Sequence, residues 1–287
     1  MPIEVKNLTH VYMPGSPFES RALDNVSLTI LDGVFIGIIG HTGSGKSTLI
    51  SHLNALEKTE PGHIFLNGVD LGGKGVKLSE IRQKVGLVFQ YPEYQLFEET
   101  VAQDIAFGPR NLKLDEKTIA ERVTEAMALV GLDESLKDAS PFNLSGGQKR
   151  RVAIAGVLAM HPSILILDEP AAGLDPAGRR SMLELIRGIH ASGVTVVMVS
   201  HSMDDVGRYC DRLYVLDHGK VAYEGTPAEV FVHGEMLHEI GLDVPECAKL
   251  AALLREKGFD VPAQAYSQEE LLEAILKNTN TDGGRKC

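Results

Sequence analysis

The stretch that most restricts how this chain can fold is Gly40-His-Thr-Gly-Ser-Gly-Lys-Ser-Thr48, which follows directly on the apolar run Phe35–Ile39. A short, almost wholly apolar run is what a strand covered on both faces looks like. The glycines let backbone N–H groups turn inward around phosphate oxygens. Lys46 adds a cation against the β/γ charge, and the Ser47 hydroxyl can take a Mg²⁺ position. The segment therefore predicts strand, loop, then a helix opening at Lys46. Its cradle comprises Gly40, His41, Thr42, Gly43, Ser44, Gly45, Lys46, Ser47 and Thr48.

Further β-branched runs occur at Ile3–Leu8, Val26–Ile30, Val85–Phe89, Ile164–Leu167 and Val194–Val199, with a helical pattern around Arg179–His190 between the last two. Strand and helix in alternation predict an α/β fold, a mainly parallel sheet with helices on both faces. Between about residues 96 and 160 the pattern changes. Ile119, Val123, Ala126, Met127 and Val130 recur at helical spacing before Gly131, so this segment reads as a helical subdomain inserted into the sheet domain. The sheet domain as a whole spans 1–225. A helical extension follows over 226–278, with starts near Asp243–Pro245 and Ser267–Glu270 and stripes at Leu250, Leu253, Leu254 and Leu271, Leu272, Ile275. The polar end, 279–287, is expected to be unordered.

The charge balance excludes some functions. A net charge of −11 argues against a broad nucleic-acid footprint, and the run Lys149-Arg150-Arg151 is too short to reverse it, so no nucleic-acid partner is expected. No stretch approaches the roughly 18–20 apolar residues of a membrane-spanning helix, and the N-terminus has no leader pattern. These features imply a protein kept in the cytosol. Cys210, Cys247 and Cys287 are far apart and in no metal-like spacing, which leaves them as reduced packing or surface residues.

Two more segments carry chemistry. The run Ile164–Leu167 ends in Asp168-Glu169. Asp168 would hold Mg²⁺ through water, and Glu169 would orient and polarise an attacking water as general base. Cradle and carboxylates together define a nucleoside-triphosphate hydrolase or a kinase without choosing between them. Leu144-Ser145-Gly146-Gly147-Gln148 precedes an apolar-faced helix over Arg151–Met160, with Ser145 at the N-cap and two glycines leaving bare N–H groups at the positive end. That is a second anion-binding surface, a hundred residues from the first.

The ordered set GHTGSGKS, Gln90 after a strand, LSGGQ, ILILDEP, Ala172-Gly173-Leu174-Asp175 and Ser200-His201 resembles the ATP-binding subunits of ABC transporters over roughly residues 1–225. The resemblance implies the P-loop NTPase fold of those subunits, with ATP and Mg²⁺ as cofactors. It also implies two subunits packed head to tail, so that Ser145, Gly146, Gly147 and Gln148 serve the partner's nucleotide. By the same resemblance Gln90 senses the γ-phosphate and Mg²⁺, His201 contacts the γ-phosphate, Asp175 crosses the subunit interface and Tyr12 stacks on adenine, with Phe18 a nearby competitor.

Gly86–Asn111 and Arg150–Arg179 look like the energy-coupling-factor branch, importers of vitamins or transition-metal ions, and Pro14–Glu19 is similar to its second ATPase. The resemblance implies a second ATPase subunit, in a heterodimer, a transmembrane coupling protein and a small substrate-capture membrane protein. This chain would then sit peripherally at the cytoplasmic face of the cell membrane. Tyr91, Pro92, Tyr94, Leu96 and Phe97 form an apolar group beside Gln90 suited to gripping a helix of the membrane partner. The alternatives are the ATPase of a conventional ABC transporter, a soluble ABC ATPase outside transport, and a small-molecule kinase, which leaves LSGGQ unexplained.

Overall fold

The computed structural model describes residues 2–262, 265–266 and 268–281. Its strands are β1 Ile3–Tyr12, β2 Ser20–Ile30, β3 Phe35–Ile39, β4 Ile64–Leu66, β5 Val69–Asp70, β6 Val85–Val88, β7 Ile164–Asp168, β8 Thr195–Val199, β9 Arg212–Asp217 and β10 Lys220–Gly225. The helices are α1 Lys46–Leu53, α2 Leu78–Lys84, α3 Val101–Asn111, α4 Glu116–Leu129, α5 Gly146–Leu158, α6 Pro176–Ala191, α7 Met203–Tyr209, α8 Pro227–Phe231, α9 Gly234–Glu239, α10 Glu246–Glu256 and α11 Gln268–Thr281.

The six-stranded sheet runs β10-β9-β3-β8-β7-β6, parallel throughout except for β10 at one edge. Every residue of β3 and β8 is buried, as their apolar runs require. The register sets Ile38 of β3 beside Val199 of β8, and Val199 beside Asp168 of β7. The carboxyl ends of three neighbouring strands therefore converge, the usual place for ligands in an open α/β sheet. From these ends issue the Gly40–Thr48 loop, the Asp168-Glu169 pair and Ser200-His201.

Ile3–Leu8 and Val26–Ile30 do not join this sheet. With β4 and β5 they form a separate antiparallel sheet, β2-β1-β4-β5. The burial of β1 and β2 explains the difference, because their buried residues are interleaved with exposed ones, as expected when only one face meets a core. That face packs with α1 against the six-stranded sheet in one apolar core, around Leu23, Ile30, Ile38, Leu49 and Ile50. Each such side chain contributes about 1.5–3 kcal/mol by leaving water.

A second core on the other face of the sheet joins Phe35, Ile39 and Val196 to α3, α4, α5 and α6. The span 96–160, expected to be a helical insertion, contains α3, α4 and α5, which share this core with the sheet. A third, small core around Ala251, Val261 and Leu271 holds α10 and α11 together. α11 continues to Thr281, past the start of the end expected to be unordered, because a helix propagates on backbone acceptors even where side chains are polar. From residue 282 on, that expectation lies outside the described residues. Among the described residues no helix is long and apolar enough to cross a membrane.

Candidate functional site

Two glycines of the cradle are required sterically. At Gly45, φ is +102° and an added Cβ would lie 2.4 Å from the Ala22 carbonyl oxygen; at Gly40 it would lie 2.4 Å from the Leu216 carbonyl oxygen. Gly45 caps α1, whose first residue is Lys46. The ammonium of Lys46 is buried and donates to the carbonyls of Gly40 (2.7 Å) and His41 (2.9 Å). Burial lowers its pKa, against the pull of Glu169 and Asp168.

Asp168 closes β7 beside the cradle. Burial raises its pKa, opposed by the Lys46 charge and by a hydrogen bond from the Ser47 hydroxyl. Ser47 and Asp168 thus bring two hard oxygen donors together, the donor type that Mg²⁺ takes from protein before completing its shell with water and phosphate.

Glu169 follows in the left-handed region, φ +48°, with its N–H still donating to Val199 of β8 at 3.0 Å. The bond keeps the backbone in the sheet while the carboxylate turns toward Lys46. Burial, then the neighbouring Asp168 charge, push the Glu169 pKa up to about 7. His201 Nε2 stands 3.3 Å from Glu169 Oε1 but too poorly aligned for a hydrogen bond. Oε1 is therefore buried without a hydrogen-bond partner, a property it shares among the described residues with His10 Nε2 alone, while a main-chain bond from His201 draws the carboxyl pKa back down in part. A carboxylate oxygen in this position can accept the proton of a positioned water. Burial lowers the His201 pKa, as does the Lys46 charge.

Tyr12 ends β1 at the flank of the cradle. Its hydroxyl lies 3.2 Å from Thr48 Oγ1, and its ring meets His10 edge-on at 4.4 Å, with the residue 39% exposed. Phe18, the competitor, is 78% exposed. Gln90 stands exposed just past β6. Because Val88 of β6 pairs with Leu167 of β7, Gln90 lies along the same sheet end as Asp168 and Glu169.

Ser145 caps α5 in a reciprocal box: its hydroxyl accepts from Gln148 N–H and its own N–H donates to the Gln148 side chain. Gly146 and Gly147 are exposed, and a Cβ on either would meet nothing within 4 Å. Among the described residues no hydrogen bond or ion pair joins Ser145–Gln148 to the cradle. The structure therefore brings together Lys46, Ser47, Asp168, Glu169 and His201, and leaves the second glycine stretch on the helical layer facing outward. Asp175 caps α6 by accepting from Gly178 N–H at 2.7 Å.

Arg150 is a component that sequence reading missed. It sits within an apparently solvated basic run, yet it is 2% exposed. Its guanidinium takes the Glu93 carboxylate in a fork (2.7 and 3.0 Å) and donates to the carbonyls of Pro170 (3.1 Å) and Ala172 (2.9 Å). Burial alone raises the Glu93 pKa, and the Arg150 bonds bring it below the ordinary value. One side chain thus fastens the segment after Gln90 to the segment after Glu169. Glu93 within Tyr91–Gln95 was the available signal, but nothing in the sequence pairs it with Arg150.

The apolar group beside Gln90 divides. Pro92 is buried and Leu96 packs on the core, whereas Tyr91, Tyr94 and Phe97 are exposed and Phe107 joins them edge-on to Phe97 at 5.0 Å. The extension also reaches the site's supports: Glu246 N–H donates to Asp204 at 2.9 Å and Arg208 to Glu269 at 3.3 Å, both at α7, the helix that follows His201.

Residues 23–172 match the family model described as ABC transporter. The chain is 56% identical over 280 residues to the energy-coupling factor transporter ATP-binding protein EcfA2 of Clostridioides difficile, covering 96% of this chain and 97% of the relative. To the protein of the same name from Clostridium perfringens it is 54% identical, covering 96% and 98%. Among solved structures it resembles cbiO1 from Clostridium perfringens, described as part of the ABC transporter complex cbiONQ, with TM-score 0.73 and 37% identity over 88% of this chain and 98% of that one. It also resembles the dimeric cassette MJ0796 bound to ADP and Pi, with TM-score 0.68 and 30% identity over 78% and 98%.

Proposed function

The chain belongs to the ABC transporter ATP-binding family and hydrolyses ATP; from that premise we propose that it powers an energy-coupling-factor importer of a vitamin or transition-metal ion. The observation that carries the chemistry is Glu169 Oε1, buried without a hydrogen-bond partner beside Asp168 and Lys46. Near-full-length likeness to relatives named as energy-coupling factor ATP-binding proteins supports the branch.

Backbone N–H groups of Gly40–Thr48 and the Lys46 ammonium hold the phosphates, while Tyr12 presents its ring to adenine. Ser47, Asp168 and Gln90 would hold Mg²⁺, which would neutralise phosphate charge. Glu169 orients the attacking water and takes its proton. His201 faces the γ-phosphate and stays neutral, since burial and Lys46 both disfavour its charged form. Ser145, Gly146, Gly147 and Gln148 complete a partner subunit's site, which explains why a pre-capped helix end with bare glycines faces away from this chain's own cradle.

Closure of two such subunits around ATP reaches the membrane through Arg150. Since its guanidinium binds both Glu93 and the carbonyls after Glu169, displacement at the nucleotide moves Tyr91, Tyr94 and Phe97, the patch proposed to grip a transmembrane coupling protein. The other partners are a second ATPase, in a heterodimer, and a small substrate-capture membrane protein. The chain then sits peripherally on the cytoplasmic face.

The test is affinity purification of the tagged chain from its native cell in mild detergent, followed by mass spectrometry. A second ATPase, one coupling membrane protein and small membrane proteins are expected. A pair of large permeases would refute the branch, and ribosomal or DNA-bound partners alone would overturn transport.

A further inference from the structure

The side chain of His41 is not turned into the phosphate cradle. Its Nδ1 lies 2.8 Å from the carbonyl oxygen of Thr42, and its Nε2 lies 3.0 Å from Oδ1 of Asp217 at the end of β9. A carbonyl only accepts, so the proton of the neutral ring belongs on Nδ1. Nε2 then points a lone pair at a carboxylate oxygen, which also only accepts. Two electron pairs face each other at hydrogen-bond distance unless a second proton or a cation lies between them.

A third donor stands at the same place. His218 Nε2 is 3.7 Å from the same Asp217 oxygen, its ring 4.9 Å from that of His41, and one ligand atom from each residue lies within 4.8 Å of the others. His218 occupies a left-handed backbone position. With Gly219 it forms the two-residue turn between β9 and β10, Asp217 pairing with Lys220, and φ is positive at both turn residues, +43° and +77°. Such a turn favours Asn-Gly, and histidine is one of the few other side chains found readily in the left-handed region.

We propose that His41, Asp217 and His218 form a site for a divalent transition-metal ion of the Zn²⁺, Co²⁺ or Ni²⁺ class. Two imidazoles and one carboxylate suit such ions rather than Mg²⁺, and with three protein ligands a water completes a tetrahedral shell. The Thr42 carbonyl bond to Nδ1 is the outer contact that fixes the ligating nitrogen of His41. The small approach needed for metal–ligand distances is open to His218, which is 84% exposed in its side chain. The site lies outside the nucleotide chemistry but touches it. Gly219 N–H donates to the Ser44 carbonyl at 3.0 Å, and the His41 carbonyl takes a bond from Lys46. A bound ion would tie the second residue of the phosphate loop to the β9–β10 turn.

The test uses the untagged full-length chain, stripped of metal by chelator and kept in excess Mg²⁺ without nucleotide. Zn²⁺ is titrated calorimetrically, and Co²⁺ is followed by its visible absorption. One ion per chain is expected, with Co²⁺ bands of a tetrahedral nitrogen–oxygen shell. Loss of an outer contact alone costs 10–100-fold in affinity, so His218→Asn, which removes a ligand, should weaken binding by at least about tenfold. Asn suits the turn, so the metal-free variant should unfold at the same temperature as the parent or higher. Asp217→Asn should weaken binding likewise. The absence of stoichiometric binding would overturn the proposal. So would affinity unchanged in His218→Asn, or binding abolished by Cys247→Ser instead.

Discussion

Substituting Glu169 by Gln keeps the shape of the side chain and removes its charge. In the native protein burial and Asp168 push the carboxyl from the ordinary 4.5 up to about 7. At 1.36 kcal/mol per pH unit, that displacement corresponds to roughly 3 kcal/mol. Because the folded-state value is raised, the favourable contribution of this group is fully present below 4.5 and is lost as pH rises through about 7. The glutamine variant carries no such loss. Its stability advantage over the parent should be about 1 kcal/mol at pH 5 and about 3 kcal/mol at pH 8, as read by urea unfolding of the nucleotide-free chain at both values. Hydrolysis should move the other way. Removing a general base costs on the order of 10²–10⁴ in rate, with ATP binding retained and an ATP-dependent closed pair persisting on size exclusion. A stability difference that did not grow with pH would refute the burial argument, and near-normal turnover would refute the assignment of the base.

Four other outcomes follow from the same geometry. In the parent, kcat/KM for ATP should fall about tenfold per unit below pH 7, the folded-state value of Glu169, because the base must be ionised; a flat profile from pH 5 to 7 would contradict this. Gly45→Ala places a Cβ 2.4 Å from the Ala22 carbonyl at φ +102°, so equilibrium dialysis should show ATP binding lost. Ser145→Ala removes one half of the capping box and should cost about 1 kcal/mol in denaturant unfolding. Arg150→Met leaves the Glu93 carboxylate half-buried and unpaired, a loss of about 3–5 kcal/mol. Adding Glu93→Gln should restore part of it, and a strictly additive double variant would argue against the pair.

The parts of this molecule that could be read from the chain are those whose local chemistry is self-sufficient. β3, β7 and β8 are buried on both faces, and an apolar run announces that without knowledge of neighbours. Ser145 caps α5 with Gln148, three residues away, so the start of that helix was legible too. β9 and β10 were not, because β9 is framed by Arg212 and Asp217 and β10 alternates exposed with half-buried residues. The small antiparallel sheet escaped for a related reason: β4 and β5 have only three and two residues. Within the site, Lys46, Ser47, Asp168 and Glu169 are legible from their local motifs, and His201 from the order in which the motifs follow one another. Arg150 could not be, since a buried guanidinium and a solvated one are spelled alike until Glu93 and two carbonyls surround it. The same holds for His41, whose partner Asp217 lies 176 residues further on.

The inward bonds of Lys46 bear on how ATP binding should look in a calorimeter. The Lys46 ammonium on the Gly40 and His41 carbonyls, and the Ser44 carbonyl bonded by Gly219 N–H, close the turns of the loop with bonds inside the chain. Nucleotide entry then exchanges one set of polar contacts for another and orders little chain. A cradle that folded around its ligand would show a large negative heat-capacity change and pay an ordering entropy; this one should show neither in the isolated subunit. The larger heat-capacity change belongs to the later step, when two subunits bury surface against each other.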